Sequence, residues 1–535
     1  MKKLISMLLI AAFMTALFAG CGESDTADSK PSDKPAETSS GNSPDSSVTA
    51  SGEEGPKASE EELYTFKMFA NFTPAEQSEG DKAFFAAVEE ANNVKIELEV
   101  PPATNYAERL QIMLAGGDYP EVVLFGSATD KVLLDAVKND VIIPIDQYLE
   151  NAPNITQYSY DISWDSLKLK GDDQIFGVPR TSIARADGFI VRKDWLDHLG
   201  MTIPEGGVVT KDEFVEILRA FTEDDPDGNG ADDTYGFAAS SDAEGNIGPV
   251  LSWPFGLNGW HKTDKGPYEY LDLTYSKEHD NYKQALEFTR DLWEKGYIDP
   301  DWPVTKRETA IERFKQGING VIGEFSGWVA QYIADMTPIN PDVELTYITG
   351  VKDDNGKVEG GAFGTGFWGL WAVTVTAEKP ERIIDVFDWM LSDEGWSTVN
   401  YGPKDVTYNE TDGRKEPTDL YPKYSWGRNI LRRNNDPGFF IPLSTSEEMQ
   451  PKLEQWLSTC IDQAVFSKDR GYRPPAADDP VYIDYQKTRN QAVSKIIVGE
   501  RPVNDWDQIL DDWYKNGGED YVKQMNEFIT SVEGQ

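Results

Sequence analysis

Short apolar strands alternate with amphipathic helices along most of this chain, and this alternation restricts the fold more than any other feature. The pattern predicts strands over Tyr64–Phe72, Val94–Val100 and Glu121–Phe125, with a helix over Lys82–Asn92 between the first two. Alternation of this kind indicates α/β layers with mostly parallel sheets. The alternating body begins near Leu63 and spans roughly 470 residues, which is too long for one hydrophobic core and predicts at least two domains.

Local capping signals predict several helix boundaries. Thr210 and Glu213 have the spacing of a capping box, and an apolar stripe from Phe214 to Phe221 follows them. Pro380 suits the first turn of one helix, and Gly296 suits the end of another.

Residues 1–20 are predicted to be a lipoprotein signal peptide. Lys2 and Lys3 form a short positive region before an apolar run from Leu4 to Phe18. That run has about 15 residues, whereas a bilayer-spanning helix needs roughly 20. Leu17–Cys21 resembles the bacterial lipobox, in which the cysteine sulfur receives a diacylglycerol before cleavage. We expect Cys21 to carry acyl chains such as palmitate at the outer face of the cell membrane, and an ordinary signal peptide is the alternative.

Residues 21–62 are predicted to form a disordered acidic tether between the lipid and the folded body. The stretch is rich in Ser, Thr, Pro and Gly, and residues 22–62 hold 11 acidic residues against three lysines. A segment this poor in apolar groups buries too little surface to offset the entropy lost on ordering. The tether would let the body stand off the membrane.

The composition excludes several classes of function. A net charge of −43 argues against nucleic acid as a partner and against docking on anionic lipid. Cys460 is the only cysteine besides Cys21, so no disulfide framework is predicted. The three histidines lie at positions 198, 261 and 279, far apart in sequence, which argues against a zinc site.

Six segments in the same order resemble the extracellular solute-binding proteins (family 1 type) of carbohydrate ABC importers, and especially the lipoprotein branch of the alginate-binding proteins. Among them, Tyr106–Pro120 (YAERLQIMLAGGDYP) is similar to the family's L-x-x-M-L-A-x-G-D-x-P segment. The others are Val141–Asn154, Asp173–Pro179, Tyr282–Pro300, Phe387–Gly402 and Lys495–Tyr514. Together they are spread across most of the length of the predicted body.

The resemblance implies a two-lobed α/β fold of the type II periplasmic-binding-protein kind, with an interlobe ligand cleft and crossing hinge strands. The N-terminal lobe would comprise residues 63–182 and 347–401, and the C-terminal lobe residues 183–346 and 402–535. The first crossing would fall near Thr181–Asp187. By the same resemblance, a monomer would capture an oligosaccharide and deliver it to ABC permease subunits, touching the membrane only through its lipid anchor.

Aromatic residues beside Gly, Asn or Ser in predicted loops are the best candidates for contact with a sugar, because sugars stack C–H faces on rings and pair hydroxyl groups with polar side chains. Arg180 precedes the predicted crossing, and either binds a carboxylated sugar or braces the hinge. Trp293, Trp389 and Trp513 lie in predicted helices and are assigned to the core. The predicted ligand-binding residues are Asn71, Phe72, Ser127, Arg180, Trp253, Trp260, Trp328, Phe367 and Trp368.

Residues Asp225–Asp233 resemble the first part of an EF-hand calcium loop, with Gly230 at the sharp turn. The closing glutamate is missing, since Gly236 stands at position 12 and Thr234 at position 10, where the alginate-binding relatives have an acidic residue. A structural calcium ion is expected, and an acidic surface turn is the alternative. The predicted ligands are Asp225, Asp227, Asn229, Ala231 and Asp233.

The protein is not expected to be an enzyme. The sequence has neither a G-x-S-x-G elbow nor an H-E-x-x-H motif. A cell-surface glycoside hydrolase or lyase remains an alternative, because 93 acidic residues offer many carboxylate pairs. The second alternative is a surface sensor that presents its ligand to a receptor kinase, which would share the same fold.

Overall fold

The computed structural model describes residues 62–72, 75–101, 106–117, 119–169, 173–182, 187–240 and 251–533. Residues Glu61–Gln535 form one compact unit. Cys21, the predicted signal peptide and residues 21–61 of the predicted tether lie outside the described residues, so these assignments stay predictions. None of the described helices combines the length and the apolar character of a membrane-spanning segment.

The strands and helices carry numbers in chain order. The strands are β1 (Tyr64–Phe69), β2 (Val94–Glu99), β3 (Val122–Phe125), β4 (Val178–Thr181), β5 (Asp187–Arg192), β6 (Val208–Val209), β7 (Tyr235–Ala238), β8 (Trp260–Lys262), β9 (Tyr270–Asp272), β10 (Asn319–Phe325), β11 (Leu345–Ile348), β12 (Gly350–Val351), β13 (Ala362–Phe363), β14 (Phe367–Val373), β15 (Tyr408–Thr411), β16 (Arg414–Pro417) and β17 (Val465–Phe466). The helices are α1 (Glu79–Asn92), α2 (Tyr106–Gly116), α3 (Lys131–Lys138), α4 (Asp146–Leu149), α5 (Pro153–Gln157), α6 (Asp161–Ser166), α7 (Lys193–His198), α8 (Lys211–Glu223), α9 (Asn281–Glu294), α10 (Arg307–Lys315), α11 (Val329–Met336), α12 (Pro380–Leu391), α13 (Asp393–Tyr401), α14 (Trp426–Ile430), α15 (Gln450–Gln463), α16 (Pro480–Ile497), α17 (Trp506–Trp513) and α18 (Glu519–Glu533).

Capping residues set the starts of the long helices. The Thr210 hydroxyl accepts from the Glu213 backbone N–H, and the Glu213 carboxylate accepts from the Thr210 backbone N–H, which confirms the predicted capping box. Ser78 and Asp81 form a second box, so α1 begins three residues earlier than the apolar pattern alone predicts. The predicted strands over β1, β2 and β3 are also confirmed.

The first sheet has the strand order β2-β1-β3-β14-β4. Strand β1 runs parallel to β2 and β3, whereas β14 runs antiparallel to both β3 and β4. The four residues of β3 are all buried, as expected for a strand covered on both faces. We call this sheet and the helices packed on it the first lobe.

The second sheet has the strand order β11-β5-β10-β7 and forms the centre of the second lobe. Strands β10 and β7 run parallel, and β5 runs antiparallel to β10 and β11. The chain passes from the first sheet to the second between Thr181 at the end of β4 and Asp187 at the start of β5. It returns between Ile348 at the end of β11 and Phe367 at the start of β14.

The sheets are mostly parallel, as predicted, and each also holds one strand that runs against its neighbours. Both such strands, β5 and β14, begin where the chain arrives directly from the other lobe. They therefore start at the edge where the parallel strands end. The carboxyl ends of the parallel strands and the starts of β5 and β14 meet between the lobes, which is where open α/β sheets bind ligands.

Separate hydrophobic cores lie in the two lobes. Trp513 is buried in the core of the second lobe, and Trp293 and Trp389 pack against the cores, as predicted. Buried residues from Tyr424 to Phe439 belong to the first core, although they follow position 401. The exact lobe boundaries stay a prediction.

Candidate ligand-binding cleft

A cavity of about 880 Å³ lies between the lobes, at the strand ends that carry the chain from one sheet to the other. From the first lobe it is lined by Ser182, the residues from Gly364 to Trp368, and the segment around α14. From the second lobe it is lined by the end of β10 and the turn that follows. A cavity of this size at a domain interface is a typical place for a small-molecule ligand.

Two tryptophans face the cavity from opposite lobes. Trp328, in the turn after β10, is 46% exposed, and Trp368, in β14, is 54% exposed. Both side chains line the cavity. Large aromatic side chains lose favourable burial when they remain in water, so paired exposed rings at a cavity mark a binding surface.

An irregularity in β14 lies beside Trp368. The pairing of β14 with β4 shifts register between Phe367 and Leu370. Within the shift, Gly369 has φ +86°, and a Cβ at that position would lie 2.5 Å from the Phe125 carbonyl oxygen. Only glycine suits such a position. Bulges re-aim the side chains of a strand, and this one leaves Trp368 exposed beside a buried Phe367.

Arg180 lies against the cavity wall and is held by neighbours in the first lobe. Its Nη2 donates to Asn429 Oδ1 at 2.9 Å, and its Nη1 donates to the main-chain oxygen of Trp368 at 3.2 Å. Its guanidinium carbon lies 5.8 Å from the centre of the Trp368 ring. Burial lowers the pKa of Arg180 to about 10, so the group remains charged at neutral pH.

Arg428 and Arg432 line the cavity next to Arg180. The Arg432 guanidinium carbon lies 4.9 Å from the Phe439 ring centre and 5.2 Å from that of Trp368. Arg428 lies over the same Phe439 ring and donates to the Phe439 main-chain oxygen. Burial, together with the positive charges of Arg180 and Arg428, lowers the pKa of Arg432 well below its ordinary value.

The structure brings only part of the predicted ligand set together. Trp328, Phe367 and Trp368 line the cavity. Arg180 is not itself a lining residue, but it donates hydrogen bonds to the lining residues Asn429 and Trp368.

The remaining predicted residues lie elsewhere. Phe72 is buried in the first core and Trp260 in the second. Asn71 and Ser127 follow β1 and β3 but are not part of the cavity wall. Trp253 lines a smaller hollow of about 170 Å³ in the second lobe. A role for any of these residues in ligand binding stays a prediction.

Sequence analysis missed the wall formed by residues 424–442. This segment supplies Arg428, Asn429 and Arg432 to the cavity, together with the aromatic pair Phe439 and Phe440. It has no regular strand pattern, so nothing local ties it to the cleft. The one available signal was a group of arginines beside aromatic residues in a strongly acidic chain.

The loop Asp225–Asp233 is closed by its own side chains. Asp225 accepts from the backbone N–H groups of Asn229 at 3.1 Å and Gly230 at 3.0 Å. The Asn229 amide Nδ2 donates to Asp227 Oδ2 at 2.9 Å and to Asp233 Oδ1 at 3.2 Å. Burial and the neighbouring carboxylates raise the pKa of Asp227.

Calcium prefers oxygen donors of the kind that this loop collects. In the described part of the chain, however, no three His, Cys, Asp or Glu side chains lie close enough together to hold a metal ion. The Asn229 amide lies where two of the carboxylates converge. The loop therefore has the donor types of a calcium site, arranged here around an internal hydrogen-bond network.

The two-lobed fold and the cavity between the lobes define a type II periplasmic-binding-protein-like solute-binding protein. Residues 70–395 match the family of the bacterial extracellular solute-binding proteins, and the chain belongs to this family. Members of the family bind solutes and are not enzymes, so the chain is a binding protein.

Two curated relatives from Bacillus subtilis (strain 168) match most of the chain. The chain is 26% identical over 470 residues to the polygalacturonan/rhamnogalacturonan-binding protein YtcQ, covering 82% of this chain and 86% of that protein. It is 26% identical over 493 residues to the lipoprotein LipO, covering 87% of this chain and 92% of that protein.

Solved structures share the fold at low sequence identity. The alginate-binding protein AlgQ2 without calcium ion superimposes with a TM-score of 0.63 at 17% identity, covering 88% of this chain and 98% of that one. The Streptococcus pneumoniae substrate-binding protein FusA in complex with kestose has a TM-score of 0.62 at 18% identity, covering 88% and 99% of the respective chains.

Proposed function

We propose that this protein captures an oligosaccharide in its interlobe cavity outside the cell and, as a monomer, delivers it to the permease subunits of an ABC importer. The observation that supports this proposal is the pair of exposed tryptophans, Trp328 and Trp368, that face the cavity from opposite lobes. Flat apolar rings stack on the C–H faces of sugars, and Ser182 and Asn429 offer polar partners for hydroxyl groups. Two-lobed proteins of this architecture close over their ligands by hinge motion.

The names of the relatives support a saccharide as the ligand. YtcQ is named for binding polygalacturonan and rhamnogalacturonan, and the FusA structure contains kestose. These names describe those proteins, and their different sugars leave the glycan of this chain to experiment.

A calorimetric and thermal-shift screen against a broad glycan panel tests the proposal. The matching oligosaccharide should raise the Tm, because a ligand that binds only the folded state stabilises it by about 2.7 kcal/mol at one hundred times its Kd. The recovered sugar should be unchanged by mass spectrometry, as expected for a binding protein. If no glycan in the panel gave a heat of binding or a change in Tm, the proposal would be contradicted.

We also propose that Cys21 carries the lipid that holds the protein at the outer face of the membrane. The lipobox-like segment Leu17–Cys21 supports this anchor, and the relative LipO is named a lipoprotein. Replacing Cys21 by Ala should release the protein from the membrane fraction into the medium. Mass spectrometry of the wild-type N-terminal peptide should then show the added acyl mass, and an unmodified cysteine would refute the anchor.

The loop Asp225–Asp233 is proposed to bind calcium as a structural ion. Asp225, Asp227, Asn229 and Asp233 would supply side-chain oxygens and Ala231 its carbonyl. Calcium should raise the Tm relative to chelator, and Asp227→Asn should weaken that response. Because the pKa of Asp227 is raised, protons compete more strongly for its carboxylate and the calcium response should diminish as the pH falls. Identical melting curves with calcium and with chelator would contradict the site.

A further inference from the structure

The cavity wall is cationic in an otherwise acidic protein. Arg307, Arg428 and Arg432 line it, and none of the described lining residues is Asp or Glu. The whole chain has 93 acidic residues against 50 basic ones. The composition of the chain therefore does not account for the positive charge of the cavity lining, and its cause must lie in the function of the cavity.

Arg432 is buried without a compensating charge. Its side chain is 7% exposed, and its Nε has no hydrogen-bond partner among the described residues. The charges that act on it most strongly are those of Arg180 and Arg428, and both are positive. Burying a charge is costly unless it is paired, so this arrangement lowers the stability of the empty protein.

Neighbouring arginines show that the fold can neutralise such groups. Arg433, the next residue, donates to Asp393 Oδ1 at 2.9 Å and to the Leu391 main-chain oxygen. Arg307, on the opposite wall of the cavity, forms an ion pair with the buried carboxylate of Glu324. In contrast, Arg180 and Arg428 each retain a buried Nε without a partner, as Arg432 does.

The unpaired group is also positioned beside the exposed ring. Arg432 and Arg180 lie 5.2 Å and 5.8 Å from the centre of the Trp368 ring. A sugar that stacks on Trp368 would bring a substituent on its ring to the Arg432 guanidinium group, which lines the cavity. Guanidinium groups bind carboxylates and other oxyanions through parallel N–H bonds, and such charge-assisted bonds are stronger than neutral ones.

We propose that the ligand of this cavity is an acidic saccharide and that Arg432, flanked by Arg180 and Arg428, binds its anionic group. The proposal rests on the saccharide-binding function proposed above and specifies its substrate class. The anionic group is a uronic carboxylate or a sulfate ester, since both present oxygens to a guanidinium in the same way. The ligand would supply the counter-charge that the empty cavity lacks.

Isothermal titration calorimetry with matched sugars tests the proposal. The full chain is titrated with trisaccharides of galacturonic, mannuronic and glucuronic acid, with their neutral methyl esters, with kestose, and with a sulfated galactan oligosaccharide free of carboxylate. We expect at least one acidic sugar to bind about tenfold or more tightly than its neutral counterpart. The uronate and sulfate arms show which anion the site takes.

Two variants of the full chain test whether the preference for the acidic sugar depends on Arg432. Arg432→Gln should remove most of the preference for the acidic sugar, while its affinity for the neutral ester stays within about threefold of wild type. Arg219→Gln is the matched control, because Arg219 lies outside the cavity lining and is neutralised by Glu216 and Asp224, and it should keep the preference. A purely structural Arg432 would instead weaken both sugars together.

The stability of the empty protein gives an independent measurement. Arg432→Met keeps an apolar side chain among Trp368, Phe439 and Phe440 and removes the unpaired charge, so its Tm without ligand should equal or exceed that of wild type. Equal or tighter binding of neutral sugars by wild type would overturn this proposal and leave the proposed function standing. The absence of binding by every sugar would instead overturn the proposed function.

Discussion

Because Trp368 is exposed, its contribution to ligand binding can be measured separately from its contribution to protein stability. More than half of its side chain is in solvent, so truncation opens no cavity in a core. We expect Trp368→Ala to weaken binding of the matching oligosaccharide about fivefold or more, which corresponds to about 1 kcal/mol of lost stacking. The Tm without ligand should remain close to that of wild type. Calorimetric titration and thermal unfolding measure the two quantities separately.

Trp253→Ala is the control for this prediction. Both tryptophans are equally good candidates by sequence, but Trp253 lines a smaller hollow away from the cavity between the lobes. Its replacement should leave the Kd unchanged within about twofold. Equal losses of affinity in the two variants would mean that the cavity described above is not the sugar site.

The irregularity in β14 is an element whose geometry depends on a single glycine. Gly369→Ala would combine a φ of +86° with a contact of 2.5 Å to the Phe125 carbonyl oxygen. We expect a loss of about 1–3 kcal/mol in the free energy of unfolding. Sugar affinity should fall as well, because the strand could relieve the strain only by moving Trp368. Chemical denaturation followed by calorimetry checks both effects.

Gly116→Ala serves as the matched change for this test. Gly116 ends helix α2 with an ordinary backbone conformation, and nothing lies within 4 Å of a Cβ built there. Alanine should be neutral or slightly stabilising at that position, because it is the better helix former. A Gly369→Ala protein as stable as this control would show that the strand tolerates a side chain at the bulge.

Elements with local signals could be predicted, and elements set by chain crossing could not. The capping box at Thr210 and the buried run of β3 follow from residues within a few positions of each other. The antiparallel direction of β14 depends on the chain returning from the other lobe, which no local pattern encodes. The register shift beside Trp368 likewise arises from pairing with β4, which is distant in sequence.

The candidate site was predictable only where its residues lie near predicted strand ends. Trp328 follows β10, and Trp368 lies at the start of β14. The cleft is expected at such strand ends, so both residues could be predicted to line it. Arg432 comes from a segment that packs on the first lobe after the chain has already crossed twice. Its part in the wall depends on contacts between residues distant in sequence, and a single sequence does not contain that information.

The net charge of the whole molecule opposes the sign of its cavity. A chain with a net charge of −43 should repel an acidic saccharide at long range, whereas the buried arginines attract it only at close range. Raising the ionic strength from 0.01 M to 0.15 M shortens the Debye length from about 30 Å to about 8 Å and screens the long-range repulsion. We therefore expect the association rate constant of an acidic oligosaccharide to rise about threefold, measured by stopped-flow mixing.

A neutral oligosaccharide of equal length is the reference for this measurement. Its association rate constant should change little over the same range of salt, because no net charge on the ligand meets the field of the protein. If an acidic ligand associated more slowly as salt is added, attraction by the cavity would outweigh repulsion by the net negative charge even at long range.

The distribution of the tryptophans gives the protein a built-in optical signal. All fifteen lie in the part of the chain that the structure describes, and Trp328 and Trp368 are the two that are exposed. A guest lodged between the lobes would remove both indoles from water and leave the environment of the other thirteen unchanged. Intrinsic fluorescence should shift to shorter wavelength on loading, so occupancy can be followed without any dye or label.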